Sequence, residues 1–409
     1  MMGITRRQAV AATGASLLAG ALAGGKAQAA EGRTIADVAV VGAGVFGAWT
    51  AWHLKQRGLK VALLEAYAPG NARSSSGGES RVIRVSYGGD PLYSGMARDS
   101  LAAWAALSAK QTLPLLHRTG VLWFSPAGDE YMARSMAWLK ANGIAHLAGD
   151  TAWLRARYPQ ITFKDGESGF LEEASGALIA GRGVQTVVAD AGLTPQRVQA
   201  GMPERLSDGT LRVGGVLARS VVYACGPWLP KLFPDLLGGR IVATRQEVYH
   251  FGPSAGDGRF SPPALPVWAD FNAGDIVYGF PGLEGQGFKI AFDRHGGEVD
   301  PDTQDRRVSS EGVEAARAYL AQRFPGLAAA PLVHSRVCQY ENSSNGDFLI
   351  DRLPGFDRVW LVGGGSGHGF KHGPAVGALV ARHVVDSALP VEPRFSLAAK
   401  QKVQKRTVY

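Results

Sequence analysis

Three glycines in the run Gly42-Ala43-Gly44-Val45-Phe46-Gly47 break an apolar stretch, Val38 to Val41, and lead into a helical pattern. A strand, a glycine turn and a helix in that order make a receptor for the pyrophosphate of a dinucleotide. Gly42 permits the tight turn, Gly44 lets the backbone approach the phosphates, and Gly47 lets the helix pack close to the strand. The helix N-terminus adds unpaired amides and a partial positive charge. An ordinary α/β protein can carry the same glycine turn. A second apolar strand, Val61 to Leu64, ends here in Glu65, at the separation where a carboxylate takes ribose hydroxyls, and this favours the dinucleotide reading.

The elements that must position these residues follow from periodicity. Tyr93–Lys110, Met132–Asn142, Trp153–Tyr158, Glu311–Phe324 and Pro374–Ser387 read as helices. Gly120–Phe124, Ser220–Ala224 and Arg358–Val362 read as strands, the last running into the glycine-rich loop Gly363 to Lys371. Between Ile241 and Phe251, and again between Ile276 and Phe292, residues alternate around hairpin-like turns, which predicts a second, antiparallel layer. The expected fold is mixed α/β: a Rossmann-like dinucleotide domain (36–118, 180–238 and 335–390) interleaved with an antiparallel-sheet substrate domain (119–179 and 239–334).

The chain has 409 residues, 46% hydrophobic and 19% charged, a globular composition long enough for two domains. Thr5-Arg6-Arg7-Gln8, the small apolar run Ala9–Ala23 and Ala27-Gln28-Ala29 predict a twin-arginine signal over 1–29. Such a signal sends a folded protein through the twin-arginine machinery to the periplasm or medium. The readings of a plain secretory signal and of a retained anchor stay open, although the run is too short and too small-sided for a good membrane span. Net charge is +8, and +5 without Arg6, Arg7 and Lys26. The basic segment 391–409 reads as a solvated tail: no aromatics interleave with its charges, so no nucleic-acid partner is expected. Cys225 and Cys338 are the two cysteines, and neither is expected in a disulfide.

Several further runs occur in a telling order: Ser75-Ser76-Gly77-Gly78-Glu79-Ser80-Arg81-Val82-Ile83-Arg84, Gly287-Phe288-Lys289, Cys338-Gln339-Tyr340 and Gly367-His368-Gly369-Phe370-Lys371. In these the chain, from about 36 to about 390, resembles the FAD-dependent amine oxidases of the D-amino-acid-oxidase superfamily, and most of all the sarcosine and N-methyltryptophan oxidases. The resemblance implies FAD attached through a thioether at Cys338, Arg81 against the flavin ring, and Lys289 as the lysine that activates dioxygen. It implies Arg84 and Lys371 as ligands of a substrate carboxylate, with Tyr278 and Tyr340 lining the pocket. It also implies FAD contacts from Ala43, Val45, Phe46, Ala66, Ser75, Ser76, Ser80, the Val198 backbone, Gly365, Gly367, His368, Gly369 and Phe370. Asp293 departs from the pattern, since the sarcosine oxidases carry a histidine there. A carboxylate at that place favours extra positive charge on the substrate, or pairs with Arg294 or the local turn.

Elementary chemistry sets an alternative beside each role. Arg84 can grip a carboxylate with two prongs and Lys371 supplies a point charge, unless they are surface cations. Alternation puts Lys289 opposite Phe288 and Ile290, where a charge could stabilise reduced oxygen or merely face solvent. Cys338, in a polar stretch before the strand Phe348–Ile350, is a flavin anchor or a small buried hydrophobe. His368, between glycines, orients its loop. The expected activity is oxidation of a secondary amine, an N-alkyl or cyclic amino acid, to an imine, with dioxygen reduced to hydrogen peroxide. The rivals are a dehydrogenase serving a quinone or protein acceptor, and a non-catalytic FAD protein.

Overall fold

A computed structural model describes residues 35–272 and 276–403. The expected signal at 1–29 and the last six residues of the tail lie outside the described residues.

Val38, Ala39, Val40 and Val41 are all buried. A strand apolar on both faces belongs at the centre of a parallel sheet. Ala36–Val41 accordingly pairs in parallel with Val61–Glu65 on one side and Val216–Tyr223 on the other. Val216–Tyr223 pairs in parallel with Val359–Gly363, which pairs antiparallel with Leu349–Arg352. Gln196–Arg197 extends the far edge beside Val61–Glu65. The helices Val45–Gln56, Pro91–Ala109, Ala180–Asp190 and Gly373–Val385 contribute Trp49, Trp104, Val184 and Val380 to the core around this sheet.

The second sheet has eight strands in the order Leu332–Ser343, Ile241–Phe251, Phe288–Phe292, Val277–Phe280, Val267–Asp270, Val121–Pro126, Glu167–Glu172 and His146–Asp150. It is antiparallel except where Val267–Asp270 meets Val121–Pro126 in parallel. Its own aromatic core includes Trp268, Phe288 and Phe324. A small third sheet joins Ser80–Ile83, Gly176–Ile179 and Leu116–His117. The mixed α/β class read from the sequence is the observed one. Among the described residues no helix is long and apolar enough to cross a membrane.

Two expectations need correction. The polar stretch that holds Cys338 is itself a 12-residue strand, Leu332–Ser343, paired with Ile241–Phe251. The boundary drawn at residue 335 therefore cuts a strand of the second sheet. The described part of the tail is solvated only at its end: Gln401, Lys402 and Val403 are exposed, but the residues before them are anchored. Phe395 is fully buried, Arg394 reaches both Asp90 (2.7 Å) and Asp347 (2.8 Å), and buried Lys400 donates to Arg394 O (2.7 Å).

Candidate active site

The glycine turn has the backbone its residues were read to require. Gly42 sits at φ +99°, where a side chain is strained, and a Cβ there would lie 2.4 Å from Ala224 O. A Cβ on Gly47 would meet Gly42 O at 1.9 Å, so this glycine brings helix and turn together. Neither Gly47 nor Ala43 lines the cavity described below. Ala43 N donates to Glu65 Oε2 (2.7 Å) and Val45 N to Ser76 Oγ (3.0 Å), which tie the turn to the second strand and to the Ser74–Ser76 loop. Val198 N donates to Glu65 O (3.0 Å).

One cavity of about 450 Å³ is lined by Gly42, Gly44, Val45, Phe46, Glu65, Ala66 and Val198 from the first sheet and its loops. The same cavity is lined by Ser75, Ser76, Ser80, Arg81 and Arg84, and by Gly365, Gly367, His368, Gly369, Phe370 and Lys371. The second sheet supplies Tyr278, Lys289, Asp293, Cys338 and Tyr340. Residues spread over more than 300 positions of sequence thus converge on one space, within the size range of ligand sites.

Arg81 is fixed by its neighbours. It donates to Ser80 O (2.7 Å), Ser75 O (2.8 Å) and Gly77 O (2.8 Å), and lies 3.9 Å from Cys338 Sγ. Both cysteines are free thiols. Ser75 Oγ donates to Gln339 O (2.8 Å), closing the loop onto the Cys338 strand.

Lys289 is 3% exposed, which excludes a solvent-facing role. Its Nζ donates to Ser80 O (3.0 Å) and Ser80 Oγ (3.2 Å) and lies 4.5 Å from the Phe280 ring centroid. Burial, reinforced by Arg81, brings its pKa down to about 7.

Arg84 and Lys371 are 5% and 4% exposed, so neither is a surface cation. Arg84 donates to Ser86 O and to Tyr131 Oη (3.2 Å), and its guanidinium lies 3.9 Å from the Tyr87 ring centroid. Burial opposes its charge, but Tyr131, Tyr87, Glu172 and Asp293 outweigh that and raise its pKa. Lys371 Nζ donates to Tyr87 Oη (2.9 Å) and His368 O (2.9 Å), and burial, then Arg84, hold its pKa well below the usual lysine range. Tyr340 Oη donates to Asp293 Oδ1 (3.2 Å) and is 3.3 Å from Tyr278 Oη. Burial, with Asp293, raises Tyr278 to about 12. His368 Nδ1 lies 3.2 Å from Tyr87 Oη and its Nε2 3.2 Å from Gly346 O.

Sequence reasoning missed the groups that hold these cations. Glu172 accepts from Val85 N (2.8 Å), Ser175 Oγ (2.8 Å) and Trp123 Nε1 (3.0 Å), and so pins the turn after Arg84. Tyr87 Oη joins Lys371 to His372 Nε2 (2.7 Å). Tyr87 stood three residues beyond Arg84 and was legible as a candidate. Apart from Ser175 three residues on, nothing local marks Glu172, because Trp123 and Val85 are 49 and 87 residues away.

The residues fit FAD. The turn places Gly42 and Gly44, where a backbone must approach pyrophosphate, in the same cavity as Glu65 for a ribose and Arg81 and Cys338 for a ring system. Comparison with known proteins agrees. Residues 37–383 match the family model DAO, FAD dependent oxidoreductase, and the chain belongs to that family. It is therefore an enzyme class that works through FAD, and it is sarcosine-oxidase-like in sequence. It is 30% identical to monomeric sarcosine oxidase of Bacillus sp. (strain B-0618), over 91% of this chain and 99% of the other. It is 29% identical to N-methyl-L-tryptophan oxidase of Salmonella arizonae, over 88% and 96%. The fold matches glycine oxidase of Geobacillus kaustophilus with a TM-score of 0.72 at 21% identity, covering 88% and 98%.

Proposed function

We propose that this enzyme oxidises the C–N bond of a secondary amine carrying a carboxylate, an N-alkyl or cyclic amino acid, to an imine that hydrolyses, with dioxygen reduced to hydrogen peroxide. The observation that carries this reading is the pair of buried cations, Arg84 and Lys371, lining the same cavity as the dinucleotide turn. Glu172 and Asp293 favour the Arg84 charge, whereas burial holds Lys371 well below the usual lysine range, so a substrate carboxylate would supply the partner that favours the Lys371 ammonium. FAD, when bound, supplies the two-electron acceptor for the amine.

The chain's own groups do the rest. Arg84 receives the substrate carboxylate in two-pronged fashion and Lys371 adds a point charge, which orients the amine toward the acceptor. Tyr278 and Tyr340 close the pocket, and Tyr278, raised to about 12, remains a neutral hydroxyl. No protein base is needed if the amine binds unprotonated. Cys338 Sγ, beside Arg81, is the point of covalent attachment. The Lys289 ammonium stabilises negative charge as dioxygen is reduced, which favours an oxidase over a dehydrogenase. Residues 5–29 support export by the twin-arginine route, so that the working enzyme is periplasmic or secreted.

The test is an anaerobic screen of flavin bleaching with N-methyl amino acids, cyclic imino acids, D-amino acids and polyamines, followed by air. Bleaching by a carboxylated secondary amine and peroxide without added acceptor are expected. Bleaching by none of them refutes the reading. Bleaching that only a quinone or carrier protein reverses assigns a dehydrogenase.

A further inference from the structure

Beside the substrate pocket, which Glu79 also lines, one cluster of ligating side chains has the makings of a metal site. His250 and His334 face one another across paired strands, in direct register, and Glu79 enters from the loop before Ser80–Ile83. One ligand atom from each of the three lies within 4.8 Å of the other two. His334 Nε2 is 3.3 Å from Glu79 Oε1. A tetrahedral site with ligands about 2.0–2.2 Å from the metal has edges of roughly that length.

The independent observation is His250. Its side chain is 1% exposed, its Nδ1 lies 3.1 Å from Gln286 O, and its buried Nε2 has no hydrogen-bond partner. A carbonyl on Nδ1 fixes the tautomer that leaves Nε2 as a lone pair, the arrangement in which a backbone carbonyl orients a ligating histidine. Arg336 Nη1 donates to Glu79 Oε1 (3.2 Å), which orients the carboxylate in the same manner. A second cavity, about 80 Å³, is lined by Glu79 and His250 and also by Lys289.

We propose that Glu79, His250 and His334 form a binding site for one divalent cation of the zinc class. Two imidazoles and one carboxylate suit that class and leave a fourth position for water. Arg336 and Lys289 are positive neighbours of Glu79 and oppose cation binding. The site shares its small cavity with Lys289. If Lys289 serves the dioxygen step, a link that rests on the proposed function, a cation here slows that step alone.

The experiment titrates untagged holoenzyme with Zn²⁺ by calorimetry and with Co²⁺ as a spectroscopic probe. One saturating equivalent per chain and a four-coordinate Co²⁺ band are expected. His334→Ala, on a partly exposed side chain, and Glu79→Gln should each weaken binding by at least about tenfold. No saturable binding, binding unchanged in both variants, or binding lost instead in Cys338→Ala overturns the proposal. In the kinetic arm, Zn²⁺ should slow flavin reoxidation by air and leave anaerobic reduction unchanged, with the sensitivity lost in His334→Ala. Equal slowing of both half-reactions overturns the link to Lys289. Stoichiometric Zn²⁺ binding by an enzyme that no amine reduces supports the metal site and refutes the amine oxidase.

Discussion

Arg84→Lys separates charge from geometry at the substrate site. The wild-type guanidinium is held by Ser86 O and Tyr131 Oη and lies flat enough on Tyr87 to put its centre 3.9 Å from the ring. A lysine keeps the positive charge but not the planar fork, so one of two prongs to a carboxylate is lost. A hydrogen bond between charged groups contributes about 1.5–3 kcal/mol. At about 1.4 kcal/mol per factor of ten, kcat/KM for a carboxylated amine should fall roughly 10- to 140-fold. The same preparation should oxidise the corresponding amine without a carboxylate at a rate within about threefold of the parent, since small offsets of that size are less than 1 kcal/mol. Stopped-flow reduction under nitrogen with the matched pair of substrates reads both numbers. Equal loss on both, or no loss on either, refutes the assignment of Arg84 to the carboxylate. The comparison is internal, so a general loss of folding cannot imitate the expected result.

Lys289→Met should slow flavin reoxidation by air by about 10²–10³-fold, the scale of losing one preorganised electrostatic contact, while anaerobic reduction changes little; parallel loss of both half-reactions would contradict this. Acid-precipitated wild-type protein should stay yellow and Cys338→Ala should release its flavin on the same treatment, whereas colour freed from the wild type would exclude a covalent bond. Glu341 is buried, and burial, opposed by the Gly364 and Gly365 amides, brings its pKa up to about 7 from 4.5. Between those values the folded chain holds a proton that the unfolded chain has lost, so the stability from this group is complete below about 4.5 and falls as pH rises to about 7. Glu341→Gln removes that loss, and its melting temperature relative to the parent should rise between pH 5 and pH 8, by up to the equivalent of about 3 kcal/mol; a difference independent of pH would refute it.

Much of the frame was legible because apolar periodicity marks it. The alternating run Ile241–Phe251 is the observed strand to the residue, and the helices expected near Tyr93, Met132 and Glu311 begin within two residues of their observed starts. The Cys338 strand escaped because most of its buried residues are polar: Gln339, Glu341, Asn342 and Ser343. A strand that lines a cofactor cavity breaks the pattern by which strands are recognised. The C-terminal segment was misread for another reason. Arg394 is fixed by Asp90, 304 residues earlier, and no local signal carries such a pairing. The same holds for Glu172 beneath Arg84. The cations themselves were readable, but their burial was a property of the closed fold.

The most direct test of the whole account is the flavin content of the purified, folded chain. One FAD per chain, seen as flavin absorbance and as the added mass after denaturation, is predicted from the glycine turn, Glu65 and the shared cavity. Folded protein that is colourless and takes up no added FAD would contradict it.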